Sequence, residues 1–147
     1  MPKKYDKIYS VGCFDQFHYG HETLLKRMKE MGSVLVVGVH DNSSLQKLKS
    51  LKENEYDDHE TRMSNVKKFA DHVFLIASTD PTFYLKSVIG PHDNFGNSCF
   101  VRANDNIDFP GREYVESKIS VEYVPYTVGI SATQLRAQKR NVSVQLT

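Results

Sequence analysis

The chain reads as an α/β protein, a doubly wound parallel sheet of about five strands with helices on both faces. Three observations carry that reading. Five short segments rich in Val, Ile, Leu, Phe and Tyr recur at 7–11, 34–39, 72–76, 98–102 and 120–124, with the length and composition of strands. Helical patterns alternate with them, and such alternation implies parallel strands joined by right-handed crossovers. Val34-Leu35-Val36-Val37 is a near-continuous apolar run, as expected of a strand covered on both faces.

The elements follow in order. Strand 7–11 stops at Gly12. Helix 20–31 presents Leu24, Leu25, Met28 and Met31 at helical spacing. Gly32 stands where a helix C-terminal glycine is expected, before strand 34–39. A helix over 60–70 precedes strand 72–76. Asp80-Pro81 opens a helix over 82–88, with Pro at the first turn. Residues 90–97, rich in Gly, Asn, Asp and Pro, form a loop. Strand 98–102, helix 112–117 and strand 120–124 follow, and Ser131 caps a last helix over 131–139. The pattern is that of a Rossmann-like single domain over residues 1–140, with 141–147 a loosely held tail.

Composition narrows the function. A chain of 147 residues suits one domain with a substantial core. Its formal net charge of +1 weighs against a general nucleic-acid binder, which would usually be clearly basic. Cys13 and Cys99 make neither a metal-type spacing nor a disulfide framework, so a reducing, cytoplasmic setting is expected. Residues 1–6 lack the apolar core of a signal peptide, and no apolar run reaches transmembrane length.

In open parallel sheets, ligands bind beyond the carboxyl ends of the strands. The chain after Val11, Val39, Arg102 and Val124 should therefore share one rim. On that rim His18-Tyr19-Gly20-His21 opens the first helix. Gly20 lets backbone approach a ligand. The two imidazoles lie on one face of a first turn whose N–H groups and dipole favour phosphate. A zinc pair would need further ligands at a familiar spacing, and a plain cap or surface role is the simplest alternative. Asp41, Lys47 and Lys49 follow the second strand. The lysines either neutralise phosphate or belong to a solvated charged run that continues through Lys52 and Glu53. Asp105 within Asn104-Asp105-Asn106 either accepts from a sugar or base amine or completes an ordinary turn. Residues 127–133 open the last helix with hydroxyls and free N–H groups, a second anion site or a simple cap at Ser131. His59, His72 and His92 read as surface. Nothing indicates covalent catalysis.

Gly12-Cys13-Phe14-Asp15-Gln16-Phe17-His18-Tyr19-Gly20-His21 resembles the G-x-F-D-x-x-H-x-G-H signature of cytidylyltransferases. Gly129-Ile130-Ser131-Ala132-Thr133 resembles the second half of their R-T-x-G-I-S-T-T signature. The likeness spans nearly the whole chain, and the single-domain length is most similar to the glycerol-3-phosphate enzymes, with choline-phosphate and ethanolamine-phosphate enzymes close. It implies that CTP and a phosphorylated alcohol give a CDP-alcohol and pyrophosphate, by in-line attack without a covalent intermediate. It implies catalytic roles for His18, His21 and Lys47. Nucleotide contacts fall to Gly12, Cys13, Phe14, Asp15, Gly20, Lys49, Asp105, Tyr126, Thr127, Gly129, Ile130, Ser131 and Thr133. The phosphorylated alcohol would meet Asp41, Lys47, Arg62 and Lys68. Mg²⁺ would ride on the triphosphate with its waters, and a homodimer is the family habit. Three departures stand out. Tyr126 occupies the place of the signature arginine, Ala103-Asn104-Asp105 replaces a Gly-Asp-Asp type sequence, and the usual arginine near Glu60-Thr61-Arg62 is displaced by about two positions. Tyrosine donates one hydrogen bond and brings no charge. Arg102 and Arg136 are candidates to compensate. The competing expectations are an ATP-using nucleotidyltransferase and a nucleotide-binding module without catalysis.

Overall fold

The structure, a computed structural model, describes residues 3–104 and 108–125. The order is β1 (Tyr5–Gly12), α1 (Tyr19–Met31), β2 (Gly32–His40), α2 (Asn42–Lys49), a 3₁₀ turn (Glu53–Glu55), α3 (His59–Lys67), β3 (His72–Ile76), α4 (Thr82–Val88), β4 (Ser98–Ala103), α5 (Arg112–Glu116) and β5 (Ser120–Val124). The five strands form one parallel sheet in the order β3-β2-β1-β4-β5. The chain winds outward from β1 to β3, then crosses back to place β4 on the other side of β1. The topological switch point lies between β1 and β4, where open α/β sheets form their binding crevice.

Side-chain alternation along each strand feeds two cores. Ile8, Leu35, Val37, Val39, Cys99 and Val101 pack with Leu24, Leu25 and Met28 of α1 and Val66 of α3. Tyr9, Val11, Ile76 and Phe100 pack on the other face with Leu85 of α4, Val115 of α5 and Ile119. Leu25 and Leu85 are wholly buried, each worth about 1.5–3 kcal/mol over exposure. No helix among the described residues is long and apolar enough to cross a membrane.

The structure corrects several sequence expectations. Gly32 is not a left-handed helix cap. Its φ of −150° and ψ of 163° are extended, and it is the first residue of β2. Its bareness serves packing, because a Cβ there would meet Ile8 Cγ1 at 2.6 Å and the Tyr5 carbonyl at 3.2 Å. The lysine run after β2 is a helix, α2, which the sequence reading missed. Asp41 accepts from the Ser44 N–H at 2.8 Å and caps it, and Ser50 closes it with a left-handed φ of 54°. Helix α3 begins one residue early, capped by Asp58 on the Thr61 N–H at 2.9 Å, and stops at Lys67. Pro81 precedes α4 rather than sitting in its first turn, and Asp80 accepts from the Thr82 N–H at 2.9 Å. The expected last helix and tail lie outside the described residues.

Candidate active site

The turn joining β1 to α1 leaves the sheet at the switch point. Phe14 and Gln16 hold left-handed φ angles of 53° and 50°, which cost non-glycine residues about 1–3 kcal/mol each and persist only where surroundings over-determine them. Here they do. Phe14 is buried and its ring folds back on Gly12, where a Cβ would meet Phe14 Cε2 at 2.9 Å. Asp15, 2% exposed, accepts from the Asp57 N–H at 2.9 Å.

His18 and His21 form a reciprocal cap at the start of α1. Nδ1 of His18 accepts from the Gly20 N–H at 2.9 Å, and Nδ1 of His21 accepts from the His18 N–H at 3.3 Å. Each imidazole takes the part that Ser/Thr and Glu/Gln play in a capping box. A backbone N–H can only donate, so both Nδ1 atoms are acceptors, and each neutral ring carries its proton on Nε2. Electrostatics agree. Burial, then the neighbouring His18 and Lys49, hold His21 down at about 3, and burial lowers His18. The rings lie 4.0 Å apart, and Phe17 stacks on His21 at 5.4 Å and on Phe69 at 5.8 Å. Two neutral donors are thus oriented at the positive end of a helix dipole.

Other expected residues are placed differently from one another. Lys49 ends α2, and its charge reaches both His21 and Cys13. Lys47 is exposed on the same helix, but two residues turn a helix by about 200°, so the lysines do not form a pair on one face. Burial pushes the Cys13 thiol up, against the pull of Lys49 and Arg62. That leaves it a poor nucleophile. Asp41 is engaged as the α2 cap. Arg62, expected to meet the phosphorylated alcohol, is 0% exposed and donates to the carbonyls of Asp57, Cys13 and His40 and to Asn42 Oδ1. Lys68 is exposed at the C-terminal cap of α3, about 9 Å along the helix axis from Arg62. Asp105, Tyr126, Thr127, Gly129, Ile130, Ser131 and Thr133, with Arg136, lie outside the described residues.

Two histidines were missed. His59 is half-buried, and its Nδ1 accepts from the Asn42 N–H at 3.2 Å at the start of α2. His40, buried at the end of β2, donates from Nδ1 to the Ser78 carbonyl at 2.9 Å. No local pattern marks either, because their partners are 17 and 38 residues away. Arg102 lies at the end of β4, its guanidinium 4.5 Å above the Phe109 ring and opposite Tyr123 of β5 in register. A cleft of about 910 Å³ between α4 and α5 lies apart from the histidines. Asp80, Asp108, Glu113 and Glu116 line it against Arg112 alone, which repels a polyphosphate.

Residues 9–138 match the model of the cytidylyltransferase-like family. A glycerol-3-phosphate cytidylyltransferase of Bacillus spizizenii is 34% identical over 134 residues, covering 88% of this chain and 94% of the relative. A probable ethanolamine-phosphate cytidylyltransferase of Encephalitozoon cuniculi is 31% identical across 88% of this chain and 39% of its own length. The bifunctional protein HldE of a Nitratiruptor species is 29% identical across 91% of this chain and 28% of its own length. Among solved structures, a lipopolysaccharide core biosynthesis protein of Thermoplasma volcanium shares the fold, with a TM-score of 0.66 at 19% identity over 83% of this chain and 98% of that one. The parallel sheet, the histidine-capped first helix at its switch point and the family match over most of the chain agree: this protein belongs to the cytidylyltransferase-like family of nucleotidyltransferases.

Proposed function

We propose that the protein transfers the cytidylyl group of CTP to a phosphorylated alcohol of the glycerol-3-phosphate, choline-phosphate or ethanolamine-phosphate type. A phosphate oxygen of the alcohol attacks the α-phosphorus, the bond from that phosphorus to the bridging oxygen breaks, and pyrophosphate leaves with the electron pair. The observation that carries this reading is the reciprocal cap of His18 and His21. It commits both Nδ1 atoms to the backbone, so the Nε2 protons serve the charge that grows on the phosphates. Neutral donors suit the task, because they stabilise charge without giving up a proton to the leaving group. One such donor is typically worth about 2.7–4 kcal/mol in the transition state.

Lys49 adds a cation on the His21 side of the site. Mg²⁺ enters as part of the substrate, MgCTP, keeping most of its waters. Asp105 and residues 126–133 are assigned to the nucleoside and the phosphates, and a homodimer is expected in solution. The likeness to a glycerol-3-phosphate cytidylyltransferase along 94% of that enzyme favours the glycerol phosphate acceptor.

The test is pyrophosphate release from CTP, ATP, GTP and UTP against the three phosphorylated alcohols. Turnover with CTP and one of the alcohols supports the reading. The likeness to HldE over 91% of this chain motivates a second reading, an ATP-using nucleotidyltransferase, and turnover with ATP in place of CTP would establish it.

A further inference from the structure

We infer that Arg62 is a positioning residue that sets the orientation of the Cys13–Phe14 peptide and locks it to the start of α2, so that the histidine-bearing turn and the lysine-bearing helix act as one rigid unit. The inference rests on the transferase reading for its kinetic consequences and on the geometry alone for its structural ones.

Three segments distant in sequence converge on this side chain. Nη1 donates to the Cys13 carbonyl at 2.9 Å and to the His40 carbonyl at 2.7 Å, where β1 and β2 leave the sheet. Nη2 donates to Asn42 Oδ1 at 3.1 Å, the first residue of α2, and Nε donates to the Asp57 carbonyl at 2.8 Å. A guanidinium is planar and presents its donors in a fixed fork. Four acceptors met at once therefore fix the relative placement of the segments that own them.

The peptide link carries the consequence to the site. In a trans peptide the C=O and the following N–H point in opposite directions. A Cys13 carbonyl aimed at the buried guanidinium turns the Phe14 N–H to the other side of the turn, away from Arg62. That orientation belongs to a residue with a left-handed φ of 53°, which would relax if the carbonyl were released. The entry to α3 adds two more ties. The Asp57 N–H meets Asp15, and His59 Nδ1 accepts from the Asn42 N–H.

Burying a guanidinium is expensive, and a well-packed apolar side chain often stabilises as well or better. What an apolar residue cannot do is orient three backbone carbonyls and an amide oxygen simultaneously. Lysine keeps the charge and loses the fork, so it should not substitute.

Full-length Arg62→Lys and Arg62→Met are the test, with folding checked by near-ultraviolet circular dichroism and kinetics run below the melting midpoint. For folded Arg62→Lys, kcat is expected to fall about 100-fold, the usual consequence of an ångström-scale misplacement, with a smaller change in KM for CTP. Amide hydrogen exchange should quicken at Phe14, Asp15 and Asn42. A folded variant with kcat and both KM values within about twofold of the parent, or with unchanged exchange at these amides, overturns the inference. If neither variant folds, Asn42→Ala removes one acceptor and leaves the other three bonds. It should quicken exchange in the first turn of α2 and lower kcat/KM for the phosphorylated alcohol about tenfold. Parent-like values there overturn the inference equally. Failure of the transferase reading looks different: the parent itself then releases no pyrophosphate, and exchange alone decides the role of Arg62.

Discussion

Acidification should destabilise this protein through His21, and the size of the effect follows from the cap. His21 is held at about 3, against an ordinary value of 6.5. Its proton affinity is lower folded than unfolded, so below pH 6.5 the unfolded chain takes up a proton that the folded chain refuses. Stability from this group is complete above 6.5 and is lost as the pH falls toward 3. Between pH 6.5 and about 4.5 the loss is at most about 2.3 kcal/mol, at 1.36 kcal/mol per unit with the unfolded imidazole half charged at the start. For a chain of this size that lowers the melting midpoint by roughly 5–9 °C. The informative variant is His21→Gln. A Gln at this position can still accept from the N–H of the capping residue, but it does not titrate. Differential scanning calorimetry of both proteins across that range should show the parent losing the larger midpoint, with the two converging near neutral pH. The same variant should lose about 100- to 1,000-fold in turnover at neutral pH. Equal slopes with pH would refute the buried neutral imidazole, and a parent-like turnover would refute its part in the chemistry.

Lys49→Ala should lower kcat/KM for CTP about tenfold or more, while Lys47→Ala changes it far less; steady-state kinetics giving the reverse order would put the wrong face of α2 toward the site. Asp41→Ala removes a helix cap and should cost about 1 kcal/mol. Its calorimetric midpoint should drop while KM for both substrates stays near the parent, and an intact midpoint with a large rise in KM would make Asp41 a ligand. Arg102, stacked on Phe109, supplies a cation on the β4–β5 side of the rim. Arg102→Ala is therefore expected to lower kcat/KM for CTP, and Tyr126→Arg to change it little. Improvement by Tyr126→Arg with no effect of Arg102→Ala would show the rim to lack a guanidinium.

What the sequence determined by itself is what short-range physics controls. Apolar runs of strand length, alternating with helical periodicity, specify a parallel sheet, because each choice is made within a few residues. The histidine turn was legible for the same reason: strand end, glycine, two histidines and an amphipathic helix lie within one stretch of chain. The first turn of α2 carries a cap signal at Asp41, but its eight residues are too short for periodicity to separate them from a solvated lysine run. Only the tertiary structure decided where the charged side chains go. Arg62 and Lys68 lie six residues apart with the same formal charge, yet one is wholly buried at the convergence of three loops and the other is in solvent. That difference depends on carbonyls at positions 13, 40 and 57, which meet only when β1, β2 and α3 are packed. Gly32 obeys the same rule, its bareness required by Ile8 on the neighbouring strand rather than by its own φ. Lys47 and Lys49 separate only once the segment winds into a helix. A hydrophobic residue needs only an interior to be placed. A buried charge needs particular partners, and those come from parts of the chain that no local pattern connects.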